Sequence, residues 1–449
     1  MIHCFTIGSR NLVLDVGSGS LHQVDDATLN VLRMMQDISD LDSAAVASIS
    51  THSIHSIKEA ILSLTRSGQL FTADEPQRVH KHMQDRDPVV KALCLHMAHE
   101  CNLRCGYCFA GDGTYSAGVV DRGLMSLDVG KKALDFLIDH SGVRRNLEVD
   151  FFGGEPMLNF DVVKQLVAYG RKREIETGKK FRFTLTTNGT LLTDEANAYI
   201  NENMDNVVIS LDGRSHVNDR MRRLRGGGSY EHILPKILKL AQSRGHEKYY
   251  VRGTYTRHNT DFAADVLHLA DCGFKQISIE PVVASSDADY SLREEDLPVL
   301  FAEYETLAQE LIKREKAGKG VHFFHFEVDM DGGPCLAKRV TGCGAGSEYL
   351  AVTPSGQLYP CHQFVMDEKF RLGDLDTGIV NAELIKEFAG CHVFAKPDCA
   401  DCWAKYYCSG GCMATAFHTH GDILKPDKIS CDLQRKRVEC ALFMYVERG

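Results

Sequence analysis

A chain of 449 residues is long enough for two or three domains. Its 44% hydrophobic and 25% charged residues are ordinary globular values, and no run of about 18 apolar residues suits a transmembrane helix, so no membrane role is expected. The formal net charge of −10 lacks the positive footprint of nucleic-acid binding, and Met1 to Leu14 lacks the layout of a signal peptide, so a cytoplasmic protein is expected.

The predicted elements fall into three regions. In the first, residues 1–87, Phe5–Ile7, Asn11–Asp15 and Leu21–Val24 read as short strands around a turn at Gly17–Gly19. Asp25 or Asp26 caps a helix, Ser56–Ser67 forms another that Gly68 ends, and Leu70–Thr72 is strand-like before a polar stretch to Asp87. In the second, residues 88–320, six apolar strands alternate with helical patterns: Ala92–Ala98, Leu147–Phe152, Arg182–Thr187, Val207–Leu211, Tyr250–Tyr255 and Ile277–Val282. That alternation implies a parallel sheet, whose working residues lie at the C-terminal strand ends. Gly153–Glu155, Asn188, Ser210–Asp212 and, more weakly, Glu280 stand there. The basic cluster Arg220, Arg222, Arg223 and Arg225 reads first as a solvated loop. The third region, residues 321–449, has little periodicity, so bound metal would have to supply much of its stability.

The 16 cysteines are many for a reducing compartment, where disulfides are rare and thiolates more often hold metal. They bunch at 101–108 and again from 335 onward, with only Cys272 between. Cys101, Cys105 and Cys108, spaced C-x3-C-x2-C, follow the first strand of the second region. Three thiolates can hold three irons of a 4Fe–4S cube and leave the fourth for a ligand. A zinc site, which wants a fourth protein ligand, and inert thiols are the alternatives.

C-x3-C-x-aromatic-C after a first strand resembles the signature of the radical S-adenosylmethionine (SAM) superfamily, whose fold is a partial (β/α)6 barrel. The resemblance implies that the free iron chelates SAM and that reduction cleaves it to a 5′-deoxyadenosyl radical, which abstracts a hydrogen atom. It also gives roles to neighbours. Gly153-Gly154-Glu155-Pro156 is similar to the family's GGEP motif, with Glu155 on the SAM amino group and glycines for a close backbone approach. Tyr107 would lie near the adenine, and Asn188, Ser210 and Arg222 would bind the SAM ribose and carboxylate.

Cys399-x2-Cys402-x5-Cys408-x3-Cys412, then Cys431, with Cys343 and Cys361 upstream, closely resembles the SPASM extension of peptide-modifying radical SAM enzymes. The resemblance implies two auxiliary clusters with interleaved ligands, making three 4Fe–4S clusters in all. Cys399, Cys402, Cys408 and Cys431 would ligate one, and Cys343, Cys361 and Cys412 the other. The latter is expected to be open to a substrate cysteine, unless Cys335 supplies its fourth ligand. Cys4, Cys94, Cys272, Cys391 and Cys440 are expected to be buried apolar thiols.

The first region resembles a winged-helix-like recognition element that binds the leader of a ribosomally made peptide by strand addition. Residues 94–101, the loop 109–118 and Gly342–Gly346 look most like maturases of SCIFF peptides, which are short and cysteine-rich. That resemblance implies thioether formation between a peptide cysteine sulfur and the α-carbon of an acceptor, typically threonine, with an external one-electron reductant of flavodoxin or ferredoxin type. The second expectation is an anaerobic sulfatase maturase, which forms formylglycine.

Overall fold

The computed structural model describes residues 1–35, 37–48, 54–73, 89–111, 123–328, 330 and 336–449. Near the N-terminus, β1 (Ile2–Ile7), β2 (Arg10–Asp15) and β3 (Leu21–Val24) form an antiparallel meander in that order. Alternation along β2 splits its side chains between two cores. Leu12 and Leu14 join Phe5 and Ile7 in the main core, whereas Val13 packs with Leu29, Leu32, Ile61 and Leu70 in a small core of its own. The small core lies under helices Asp26–Arg33, Leu41–Ser48 and Ile54–Arg66. Asp25 caps the first, its carboxylate accepting the Thr28 N–H at 2.7 Å. The strand expected at Leu70–Thr72 does not form: Thr72 donates its N–H to the Asp15 side chain, and Leu70 plugs the small core. The polar stretch 74–87 lies outside the described residues.

β4 (Ala92–Ala98) opens the large sheet and is followed by the two-residue β5 (Arg104–Cys105). Then come β6 (Asn146–Gly153), β7 (Lys180–Thr187) and β8 (Asn206–Ser210). The short β9 (Arg222–Leu224) and β10 (Gly227–Gly228) precede β11 (Tyr249–Tyr255), β12 (Gln276–Pro281) and β13 (His322–Phe323). The strands from β4 to β13, the three short ones apart, run parallel in chain order. Their outward residues, among them Val149, Phe151, Phe183, Leu185, Ile209, Val251 and Ile279, are fully buried beneath the covering helices. The alternate residues line a polar lumen: Thr186 donates to Asp150 at 3.1 Å, and Arg252 to Glu280 at 2.6 Å.

The third region is less irregular than its sequence suggests. β14 (Tyr349–Val352) adds in parallel to β4, and β15 (Gln357–Tyr359), β16 (Gly373–Asp374) and β17 (Gly378–Ile379) continue antiparallel, giving eleven strands in one sheet. These strands are too short and too interrupted by turns for periodicity to reveal them. A final helix, Lys428–Arg448, packs on helix Leu297–Lys316 and reaches the N-terminal sheet. There His3 bonds Glu439 at 2.9 Å, Arg10 pairs with Glu447 at 2.6 Å, and the His3 ring stacks on Trp403 with centroids 3.7 Å apart. Among the described residues, no helix is long and apolar enough to cross a membrane.

Candidate functional site

β4 delivers the first cysteine loop, and two elements clamp it. On one side β9 pairs with β5, setting Arg222 opposite Cys105, and Gly106 donates to the Met221 carbonyl at 2.8 Å. On the other, the end of β6 presses in: Gly154 donates to Ala98 O at 2.7 Å and Glu155 to Glu100 O at 2.9 Å. A Cβ on Gly153 would lie 2.3 Å from Ala98 O, and one on Gly154 2.2 Å from Glu100 O. The close approach expected of these glycines is therefore made to the cysteine loop itself. Gly153 also holds φ +116°, which only glycine adopts readily.

Cys101, Cys105 and Cys108 are close neighbours. Burial pushes the Cys105 thiol up to about 12, and the charges of Cys101 and Cys108 push it the same way. Among the described residues, no three His, Cys, Asp or Glu side chains converge as ligands of a single metal ion. A four-iron cube instead takes each thiolate at a different iron, so this donor set fits it better than zinc.

The remaining expected SAM contacts gather round this loop, several of them already engaged. Glu155 is fully buried; its Oε1 accepts Thr187 Oγ1 at 2.7 Å and Met157 N–H at 3.1 Å, and Oε2 accepts Asn188 N–H at 2.8 Å. Burial raises its pKa against those bonds. Asn188 donates from Nδ2 to Asn102 Oδ1 at 2.8 Å and lies 3.6 Å from Cys101 Sγ, while its Oδ1 accepts from Thr190. It therefore positions the cysteine loop. Tyr107 donates to Asp212 at 2.7 Å and accepts from Arg222 Nη1 at 3.0 Å. Burial lifts Asp212 to about 6 against the pull of the Arg222 charge. Arg222 is only 8% exposed, yet its Nε has no partner, an orphaned donor that suits an anionic group such as a carboxylate. Ser210 ends β8 and makes no side-chain hydrogen bond among the described residues. Glu280 is paired with Arg252, 3.7 Å from His325. The arginine cluster thus divides, with Arg222 buried and Arg223 exposed.

The C-terminal cysteines gather into two sets. Burial chiefly, then the charges of Cys412 and Cys343, raises the Cys361 thiol. Burial takes Cys431 up to about 12, with Cys408, Cys399 and Cys402 adding to it. Cys343 and Cys412 are exposed; Cys335 lies outside the described residues. Ligation needs thiolates, so bound metal would reverse these upward shifts. Of the cysteines expected to be inert and buried, Cys94, Cys391 and Cys440 are buried, but Cys4 and Cys272 are half-exposed, and Cys272 lies 3.6 Å from His268 Nε2. Sequence reasoning missed Asn102, Thr190 and the cations Lys396 and Arg435. Only the proximity of Lys396 and Arg435 to Cys399 and Cys431 in the chain could have flagged the latter pair.

Residues 95–270 match the radical SAM superfamily, and residues 343–403 match SPASM, an iron-sulfur cluster-binding domain. The chain is 21% identical over 456 aligned residues to the radical SAM cyclopropyl synthase TigE of Paramaledivibacter caminithermalis, covering 93% of this chain and 89% of that protein. Two solved structures share the fold. anSMEcpe with bound AdoMet and Cp18Cys peptide superposes with a TM-score of 0.64 at 21% identity, over 80% of this chain and 98% of that one. Streptococcus suis SuiB bound to precursor peptide SuiA gives a TM-score of 0.53 at 16% identity, over 96% and 98% of the two chains. The chain thus carries a radical SAM domain over residues 95–270 and a SPASM iron-sulfur cluster-binding domain over residues 343–403.

Proposed function

We propose that this protein is a peptide maturase that forms thioether links in a cysteine-rich, ribosomally made precursor of SCIFF type, joining a cysteine sulfur to an acceptor α-carbon, typically of threonine. The observation that carries this reading is the inequality of the two C-terminal cysteine sets. Among the described residues, Cys399, Cys402, Cys408 and Cys431 make a set of four, while Cys343, Cys361 and Cys412 make three, two of them exposed. A three-thiolate site leaves an iron for a substrate sulfur.

When bound, a reduced cluster at Cys101, Cys105 and Cys108 together with SAM supplies hydrogen-atom abstraction from an unactivated carbon. The chain's own residues bind and orient. Arg222 Nε offers a donor to the SAM carboxylate, and Ser210 offers a free hydroxyl. Glu155 Oε2 retains acceptor capacity for a cationic amine, and Gly153 and Gly154 hold the loop against it. Tyr107, fixed through Asp212 and Arg222, presents its ring beside the same loop. The polar lumen of Asp150, Thr186, Arg252 and Glu280 gives a peptide segment hydrogen-bonding walls. In this reading, residues 1–87 bind the leader along the open edge of β3, residues 88–320 carry the SAM chemistry, and residues 321–449 hold two auxiliary clusters. A flavodoxin- or ferredoxin-type protein supplies electrons.

The test is anaerobic reaction of the reconstituted protein with SAM, dithionite and a cysteine-rich peptide encoded beside its gene. The expected product has lost two hydrogens per link, resists alkylation at the linked thiol, and shows the link in fragment ions. Recovery of an aldehyde at a cysteine or serine would replace this reading with formylglycine formation, and absence of 5′-deoxyadenosine would end the radical SAM reading altogether.

A further inference from the structure

Lys396 lies three residues before Cys399 and is 1% exposed. Among the described residues it makes no ion pair, and its hydrogen-bond partner is a backbone carbonyl. Its Nζ donates to the Gly410 carbonyl at 2.6 Å. A buried cation without an anionic partner is costly, so its presence implies negative charge close by. Sulfurs lie within its field: its charge lowers the thiols of Cys391, Cys399 and Cys408 against the rise that burial imposes.

The contact to Gly410 has a geometric consequence. Between Cys408 and Cys412, three successive residues adopt left-handed backbone: Ser409 at φ +60°, Gly410 at +82° and Gly411 at +76°. Ser409 has no glycine's freedom there, and such conformations persist only where the surroundings enforce them. Successive N–H groups in turns of this kind form concave anion sites, including iron–sulfur sites. The Gly411 N–H donates to the Cys408 carbonyl at 3.4 Å, which folds this turn back onto Cys408. The Gly410 carbonyl and the Gly411 N–H belong to one trans peptide and point opposite ways. By holding the carbonyl, Lys396 turns that N–H toward Cys408.

We propose that Lys396 is a positioning and charge-compensating residue for the cluster of Cys399, Cys402, Cys408 and Cys431, making it the more readily reduced of the two auxiliary clusters. Reduction of a cluster adds one electron and one negative charge and breaks no bond. A buried ammonium beside the cluster favours the more negative state and raises the potential. Arg435, 3.9 Å from Cys402 Sγ, is already paired with Asp432 and adds less. At the other auxiliary site the nearby cation, Lys91, is neutralised by Glu348. Electrons therefore pass from the Cys343, Cys361 and Cys412 site toward the C-terminal one.

The inference rests on the reading of these four cysteines as ligands of one cluster. The test is a dithionite titration of the reconstituted full chain, followed by electron paramagnetic resonance, in wild type, Lys396→Met, Lys396→Gln and Lys396→Arg. Gln retains a donor for Gly410 O without the charge. At the wild-type midpoint, the reduced-to-oxidised ratio of the C-terminal cluster falls about tenfold in Lys396→Met and Lys396→Gln, which is about 59 mV for one electron. Lys396→Arg stays near wild type, and the signal of the Cys101–Cys108 cluster is unchanged. If neither neutral variant loads this cluster while Lys396→Arg does, the buried charge is needed for the cluster itself and the proposal stands. Loaded neutral variants with an unshifted midpoint overturn it. A wild-type protein without iron at this site would instead overturn the ligand assignment beneath it.

Discussion

The two cysteine-rich segments, at 101–108 and 399–412, are held in opposite ways. The Cys101–Cys108 loop is wedged between regular elements: β4 before it, β9 on one flank and the end of β6 on the other, with Gly153 and Gly154 allowing backbone contact. The Cys399–Cys412 segment has no such frame; short helical turns, a left-handed run and two buried lysines hold it, Lys396 on Gly410 O and Lys405 on Ala400 O. The first segment is therefore held by regular structure, whereas the second would gain more stability from a bound metal.

The largest expected effect tests the first half of that contrast. Gly154→Ala puts a methyl group 2.2 Å from Glu100 O, against backbone that cannot yield without moving the cysteine loop. SAM cleavage should fall by about 100-fold, as expected for a displacement of about 1 Å at a reacting centre, and iron at this site should be lost. Gly411→Ala, with open space around it, should cost only about 1–2 kcal/mol for its left-handed backbone. Equal damage from both, read by iron content and Tm, would break the comparison.

Iron removal probes the second half. In the chelated protein, amide hydrogen exchange should rise strongly over 391–431 and little over 92–98 and 147–153. Uniform loss of protection would mean that the barrel too depends on metal. A middle-sized effect is expected of Asn188→Ala, which deletes the 2.8 Å bond to Asn102 and the contact with Cys101. It should cost about 1 kcal/mol and weaken iron retention at the first site alone, measured by denaturation and by site-resolved iron spectra.

The lumen provides a pH test. Burial raises Asp150 from 3.8 to about 7, against the Thr186 bond and the Arg252 charge. A carboxylate whose folded pKa is raised lowers stability in its ionised form. That cost is absent below about pH 4, grows as pH rises toward 7, and is complete above it. Asp150→Asn should therefore raise Tm relative to wild type at pH 8, with the gain vanishing by pH 4. A pH-independent difference would show that the lumen already solvates this group. The smallest effect is expected at the junction of the N-terminal sheet with the C-terminal domain. His3→Ala removes the ring stacked on Trp403, the sole tryptophan, and the bond to Glu439. Trp403 emission should change clearly while stability falls by only about 0.5–1 kcal/mol.

Much of this was legible in the chain. The β4 strand is bounded as expected, and five further strands lie within two residues of their expected ends, because apolar runs broken by polar turns report burial directly. Cysteine spacing pointed to the radical SAM and SPASM segments, matched at residues 95–270 and 343–403, because ligands of one cluster must come from short loops. What the sequence could not reveal was which neighbours would meet. Asn102 is remote in the chain from Asn188 and Thr190 yet forms one network with them, and β14 joins β4 across some 250 residues. The role of Gly153 and Gly154 was also out of reach, since sequence shows that a Cβ is absent but not what backbone would occupy its place.

The sequence by itself therefore determined the chemistry available, thiols clustered at iron–sulfur spacing, because ligand type and spacing are local properties. Only the tertiary structure decided how that chemistry is supported: an orphaned Arg222 donor beside Cys105, a buried Lys396 on the Gly410 carbonyl, and an N-terminal sheet stacked on Trp403. Each depends on burial and on contacts between distant segments, and the energetics of a charge are set by what surrounds it rather than by its neighbours in the chain.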